Sequence, residues 1–136
     1  MTQLPNGSVL LNMRHQASKT KGRAYAISTD AGETFGPIQY DQELISPVCQ
    51  ASIVTIGNST FFSNPASTSG RKMTTVRRST DDAKTWPRSL LIEPGSSAGY
   101  SCLVDGVIKD GTQDHGGILY EAPGMAIKFT TFPLDF

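Results

Sequence analysis

Apolar and β-branched residues recur along this chain in short runs that Gly, Pro, Asn, Asp or Ser separate. Each run has the length of a strand, and no long segment shows the i, i+3, i+4, i+7 apolar spacing of an amphipathic helix. The pattern predicts an all-β fold with few helices, built as a sandwich, a barrel or a propeller. The runs are SVLLNM, AYAIS, ASIVTI, TFFS, MTTVRR, SLLI, SCLV, GILYE and AIKFTTF.

One eight-residue phrase occurs twice, as STDAGETF from Ser28 and as STDDAKTW from Ser79. Each copy follows a strand-like run and precedes another extended stretch, which is the position of a hairpin turn. An Asp at the start of such a turn accepts hydrogen bonds from backbone N–H groups ahead of it, so Asp30 and Asp81 are predicted to be turn formers rather than catalytic groups. The spacing of the copies suits one propeller blade of about 40 to 50 residues.

Composition excludes several classes of function. The 136 residues suit one domain, 1–136, and twelve basic residues balance twelve acidic ones, so no nucleic-acid partner is expected. The N-terminal segment resembles neither a signal peptide nor a membrane span.

Cys49 and Cys102 are expected to be buried thiols. His15 and His115 are expected to be surface polar residues, and neither a metal nor a cofactor is predicted.

The repeated phrase resembles the Asp-box, S-x-D-x-G-x-T-[W/F], of the sialidase (neuraminidase) propellers. The first copy matches every fixed position, whereas the second has Ala83 where the box has Gly, so its turn is expected to be strained or of another type. Other segments follow in the order of lysosomal-type and related bacterial sialidases: LPNGSVLLNMRHQ, SPVCQASIV, FFSNPAS, TTVRRSTDDAKTW, GSSAGYSCL, GILYEA and IKFTTFPL. The box residues are Ser28, Asp30, Gly32, Thr34, Phe35, Ser79, Asp81, Thr85 and Trp86.

This resemblance implies site residues for a retaining exo-sialidase. Tyr100 corresponds to the nucleophile, since a neutral phenol can approach a substrate that carries its own carboxylate. Arg14 and Arg77 correspond to two arginines of a clamp on that carboxylate, which a guanidinium binds as a bidentate fork. Strand alternation sends Arg78 to the face opposite Arg77. Glu121 corresponds to a glutamate that orients the remaining arginine of the clamp.

The resemblance further implies about the last three blades of a six-bladed propeller with Asp-box hairpin turns. The first clamp arginine, the acid/base aspartate and the glutamate partner of the tyrosine would belong to a missing N-terminal half, so the isolated chain is predicted to be inactive. Expected substrates are sialylated glycoproteins, glycolipids or oligosaccharides. A lysosomal or extracellular location is suggested by the resemblance alone. Two alternatives are a non-catalytic sialoglycan-binding module and a structural Asp-box repeat of a receptor or assembly protein.

Overall fold

A computed structural model describes residues 1–16, 22–97 and 99–136 of the chain. Within these ranges, twelve strands form three four-stranded antiparallel sheets, and there is one short 3₁₀ turn, Pro123–Met125. The all-β prediction, with one sheet for each of three blades, is therefore confirmed. No helix within the described ranges has the length and apolarity that a membrane crossing requires.

The first and second sheets are meanders in which each strand pairs with the next along the chain. Tight turns such as the one at 57–58 join consecutive strands, which is why sequence neighbours become neighbours in space. The first sheet contains β1 (Thr2–Gln3), β2 (Val9–Met13), β3 (Arg23–Ser28) and β4 (Gln39–Asp41). The second contains β5 (Ser52–Ile56), β6 (Ser59–Pro65), β7 (Lys72–Ser79) and β8 (Arg88–Ser96).

The third sheet is centred on its longest strand, β11, which pairs with β12 on one edge and with both β9 and β10 on the other. Two short strands therefore share the place of one long strand. Its members are β9 (Ser101–Leu103), β10 (Ile108–Asp110), β11 (Gln113–Ala122) and β12 (Ala126–Pro133).

The second sheet is packed on both of its faces. Phe61 and Phe62 are adjacent on β6 and fully buried, and strand alternation sends them to opposite sides. Phe61 joins a core with the third sheet that includes Ile118 and Phe132, whereas Phe62 joins a core with the first sheet that includes Leu10 and Trp86. Every residue of β6 is buried as a result.

Both Asp-box phrases form hydrogen-bonded turns at the ends of central strands. In the first, the Asp30 carboxylate accepts hydrogen bonds from the Ser28 hydroxyl at 2.6 Å and from the Thr34 N–H at 2.9 Å. In the second, Asp81 accepts the equivalent bonds from Ser79 at 2.7 Å and from Thr85 at 3.0 Å. The two turns therefore share one side-chain staple.

The second turn has the same backbone form as the first although it lacks the glycine. Ala83 has φ of +60°, and Gly32 at the equivalent position has φ of +93°. The Ala83 N–H donates to the Ser79 hydroxyl at 3.0 Å, as the Gly32 N–H does to Ser28 at 2.8 Å. Ala83 is thus held in a left-handed conformation that L-residues adopt at a cost.

Candidate active site

Tyr100 lies directly before β9, with its side chain 45% exposed and its backbone held. Its N–H donates to Oε2 of Glu121 at 2.8 Å, and its carbonyl accepts the Glu121 N–H at 2.9 Å. The Arg71 guanidinium lies over the phenol ring, 5.6 Å from the ring centroid. A fixed backbone therefore presents an accessible phenol beside a cation.

The charges of three arginines act on Cys49, which is fully buried. Arg23 is buried and donates to the Cys49 carbonyl oxygen at 2.7 Å and to Oδ1 of Asn12 at 2.8 Å. Burial lowers the pKa of Arg23 to about 10, and the nearby charge of Arg14 acts in the same direction. Burial raises the pKa of the Cys49 thiol, against the opposing charges of Arg71, Arg14 and Arg23.

The three arginines differ in their exposure to solvent. Arg14, directly after β2, is exposed, Arg71 is partly exposed, and Arg23 is occupied by its buried partners. Among these three, Arg14 and Arg71 are the side chains that an anion in solution can reach. A carboxylate is the anion that two such guanidinium groups suit best, because each can donate two parallel N–H groups.

Glycine at position 99 lets Arg71 approach Tyr100. Gly99 has φ of +90°, and a Cβ added there would lie 3.0 Å from Cβ of Arg71 and 3.0 Å from Cγ of Pro65. Any larger residue would therefore push Arg71 away from its place over the ring. Ala98, in the same GSSAGYS segment, lies outside the described residues.

Arg77 has different partners from the residues of this cluster. It is 8% exposed and donates to Oδ1 of Asn64 at 3.1 Å. Burial lowers its pKa, while the charges of Asp41 and Glu43 act in the opposite direction. The structure brings Arg14, Arg71, Tyr100 and Glu121 together around the dipeptide at 49–50, but it places Arg77 between the first and second sheets.

Arg71, which lies over the Tyr100 ring, is not among the residues predicted from sequence. It lies in the loop after β6, where SNPASTSG precedes it, and no repeated phrase or strand alternation marks it. Arg78, by contrast, binds Oγ of Ser59 and the carbonyl oxygen of Phe136, both at 3.1 Å, and so fastens the last residue to the second sheet.

The remaining candidate residues add no chemistry at this site. Cys49 is buried as expected, but Cys102 is exposed, because it lies on the outer face of β9 where no sheet covers it. His15 and His115 are both partly buried, and His15 stacks against Tyr40 at 4.8 Å. In the described part of the chain, no group of three or more His, Cys, Asp or Glu side chains is arranged to hold a metal ion.

A cleft of about 270 Å³ opens beside Tyr100. Gln50 and Glu121 form its polar side, and Leu119 and Ile127 of the third sheet form an apolar side. The carboxylate of Glu121 therefore faces both the tyrosine backbone and open space. Among the described residues, the Glu121 carboxylate binds the Tyr100 N–H and makes no hydrogen bond or ion pair to an arginine.

Comparison with known proteins relates nearly the whole chain to sialidases. It is 39% identical over 142 aligned positions to a sialidase of Micromonospora viridifaciens and 33% identical over 147 positions to a sialidase of Bacteroides fragilis. These alignments cover 97% and 98% of the chain but only 21% and 25% of the two relatives. No protein-family model matches the chain.

Solved structures give the same relation. The Hadza microbial sialidase Hz136 superposes with a TM-score of 0.81 at 35% identity, over 98% of this chain and 27% of that one. The intramolecular trans-sialidase of Ruminococcus gnavus, solved with oseltamivir carboxylate, superposes with a TM-score of 0.72 at 20% identity, which shows the shared fold. It is covered over 32% of its length. The chain therefore spans about a fifth to a third of these proteins.

Proposed function

We propose that the chain is part of a sialidase propeller and that it supplies Tyr100, Arg14 and Glu121 to the site of a retaining exo-α-sialidase. The observation that carries the proposal is the exposed Tyr100 phenol beneath the Arg71 guanidinium, on a backbone that Glu121 holds. The substrate would be a terminal sialic acid of a glycoprotein, glycolipid or oligosaccharide. Its carboxylate would be the anion that the arginines attract.

In this proposal the phenol oxygen of Tyr100 attacks the anomeric carbon of the sialic acid. The phenol proton passes to a neighbouring base, the oxygen of the departing sugar takes a proton from the acid/base aspartate as its bond breaks, and a covalent glycosyl-tyrosine forms. Water then hydrolyses this intermediate with net retention, and the tyrosine regains its proton. A neutral phenol avoids the repulsion that a carboxylate nucleophile would meet from the carboxylate of the substrate. Arg14 and a second arginine hold that carboxylate so that the anomeric carbon lies over the phenol.

The second arginine of the clamp has two candidates. Sequence order proposes Arg77, and the geometry favours Arg71, since Arg71 lies against Tyr100 and its charge reaches Cys49 together with that of Arg14. Arg71→Ala and Arg77→Ala separate the two assignments, because Arg77 also takes part in a buried bond to Asn64. Loss of sialoside binding without loss of thermal stability would identify the clamp residue.

The isolated chain is proposed to bind sialosides without turning them over. Among the described residues the carboxylate beside Tyr100, that of Glu121, binds the Tyr100 N–H and not its hydroxyl, whereas a phenol needs a neighbouring base to become a nucleophile. The base, the acid/base aspartate and the remaining clamp arginine are proposed to lie in the rest of the propeller. Because the described residues supply no base to the Tyr100 hydroxyl, a non-catalytic sialoglycan-binding module is the second candidate function.

Two measurements test the proposal. Titration with sialyllactose, followed by NMR or calorimetry, should show saturable binding that weakens about tenfold or more in Arg14→Ala, the loss expected for one charged hydrogen-bonding partner. Hydrolysis of a fluorogenic sialoside by the same chain should stay at the level of buffer. Turnover that disappears in Tyr100→Phe would refute the predicted inactivity, and the absence of binding would refute the sialoside site.

A further inference from the structure

Both neighbours of Tyr100 in the chain are held by one dipeptide, Cys49 and Gln50. The Cys49 thiol donates to the Gly99 carbonyl oxygen over 3.4 Å. Oε1 of Gln50 accepts the Ser101 N–H at 3.0 Å, and Nε2 of Gln50 donates to the Ser101 carbonyl oxygen at 2.9 Å. The amide of Gln50 thus pairs with the edge of β9 as a neighbouring strand would.

The same dipeptide also binds Arg23 and lies within reach of the charges of Arg14 and Arg71. The Cys49 carbonyl oxygen accepts a hydrogen bond from Arg23 at 2.7 Å, and the charges of Arg14 and Arg71 reach the Cys49 thiol. Positions 49 and 50 follow Val48, which has φ of +60°, an unusual conformation for a β-branched residue. The backbone there is consequently shaped by its contacts rather than by local preference.

We propose that Gln50, supported by Cys49, is a positioning residue that fixes the Tyr100 phenol relative to the arginine cluster. The proposal rests on the proposed function, because the distance between the Tyr100 phenol and the arginines matters only if these groups act on one substrate. A displacement of about 1 Å between reacting groups can cost a hundredfold in rate. Two bonds from one amide to the residue after the nucleophile restrict such a displacement.

Gln50 is not needed to attach the third sheet to the second. The hydroxyls of Ser63 and Ser101 lie 2.8 Å apart, and the Leu103 N–H donates to Oγ of Ser52 at 3.0 Å. Phe61 and Ile118 also pack in the core between these sheets. Removal of the Gln50 amide should therefore leave the junction folded and release the segment around Tyr100.

The test compares Gln50→Leu with Gln113→Leu, a matched change at an exposed glutamine on β11. Gln50→Leu should speed hydrogen exchange of the Ser101 amide about tenfold, as expected for the loss of two hydrogen bonds. It should also shift the Tyr100 ring resonances and weaken sialyllactose binding by a similar factor. Gln50→Glu keeps the acceptor for the Ser101 N–H but loses the donor, so intermediate values are expected.

The outcomes distinguish the positioning role of Gln50 from the proposed function of the site. Ring resonances and sialyllactose affinity in Gln50→Leu that equal those of Gln113→Leu would overturn the positioning role, even if the wild-type chain binds the sugar. Shifted ring resonances in a chain that binds no sialoside would support positioning and refute the proposed function. If Gln50→Leu fails to fold, the ring resonances and affinity of Gln50→Glu decide between the same outcomes.

Discussion

At the scale of single residues, the site depends on one small residue as much as on charged ones. Arg71 can lie over the Tyr100 ring because Gly99 leaves room for its Cβ and Cδ atoms. Glycine also tolerates the positive φ that the backbone has there. The glycine therefore serves both the turn and the approach of the cation.

Gly99→Ala and Gly111→Ala should separate these two roles. Both positions have positive φ, but an added Cβ meets Arg71 and Pro65 at position 99 and nothing within 4 Å at position 111. Each change should lower the free energy of unfolding by roughly 1–2 kcal/mol through backbone strain. Only Gly99→Ala should shift the Tyr100 ring resonances and weaken sialyllactose binding, and equal effects on binding from both variants would contradict this account.

At the scale of elements, the two Asp-box turns have the same conformation although the second departs from the motif at one position, Ala83. The carboxylates of Asp30 and Asp81 hold the two turns alike, although one copy has glycine and the other alanine at the left-handed position. The aromatic ends differ more. Trp86 is buried and its indole N–H donates to Asp41 at 2.9 Å, whereas Phe35 is 37% exposed.

Ala83→Gly should stabilise the second turn. The change removes the strain of an alanine at φ of +60°, and part of that gain is offset because glycine gains freedom in the unfolded chain. We expect the free energy of unfolding to rise by about 0.5–1 kcal/mol. The reverse change, Gly32→Ala, should lower it by about 1 kcal/mol in the same denaturant titration. Equal free energies of unfolding for the two variants would contradict the equivalence of the two turns.

The two staples should also make stability depend on acid. Hydrogen bonds from Ser28 and Thr34 lower the pKa of Asp30 to about 2. Burial alone would raise the pKa of Asp81, but bonds from Thr85, Ser79 and Lys84 lower it to about 2 as well.

A carboxyl with a lowered folded-state pKa stabilises the fold above its unfolded pKa of about 4, and this contribution is lost as pH falls toward 2. Unfolding monitored by circular dichroism should show the loss in that window. Thr85→Val, which removes one donor to Asp81, should lessen the dependence, and an unchanged dependence would contradict the assignment.

At the scale of the whole molecule, the three sheets bury two cores between them and leave the outer face of the third sheet open. The outer face of the third sheet carries three large apolar side chains, Leu119, Ile127 and Phe129, which are 46%, 63% and 54% exposed. Leu119 and Phe129 are directly paired across β11 and β12. Contiguous apolar surface of this kind favours association.

We therefore expect the isolated chain to self-associate, with a mass in sedimentation above the 14.6 kDa of one copy. Ile127→Lys combined with Phe129→Lys should shift the population toward the monomer, because charge on an apolar face opposes its burial. Leu91→Lys, at a 49% exposed leucine on β8, should have little effect. A wild-type chain that remains monomeric at high concentration would contradict this expectation.

The fold was largely predictable from sequence because its determinants are local. Short apolar runs, turn residues and the repeated phrase predicted the strands and the hairpin turns, with Asp30 and Asp81 as turn formers, and the resemblance to sialidase propellers implied the three blades. The burial of Cys102 was predicted wrongly, since exposure on the outer face of β9 depends on which sheets cover it.

The spatial arrangement of the candidate site residues was predictable only in part. Sequence order indicated Arg14, Tyr100 and Glu121, which the structure brings together, and it indicated Arg77, which lies between two sheets with Asn64. Arg71 and Gln50 carry no local signal, because their contacts with Tyr100 and Ser101 cross from one sheet to the next. The sequence by itself determined the strands and their turns, through propensities that act within a few residues. Only the tertiary structure decided which arginine faces the tyrosine, because packing between blades sets that distance.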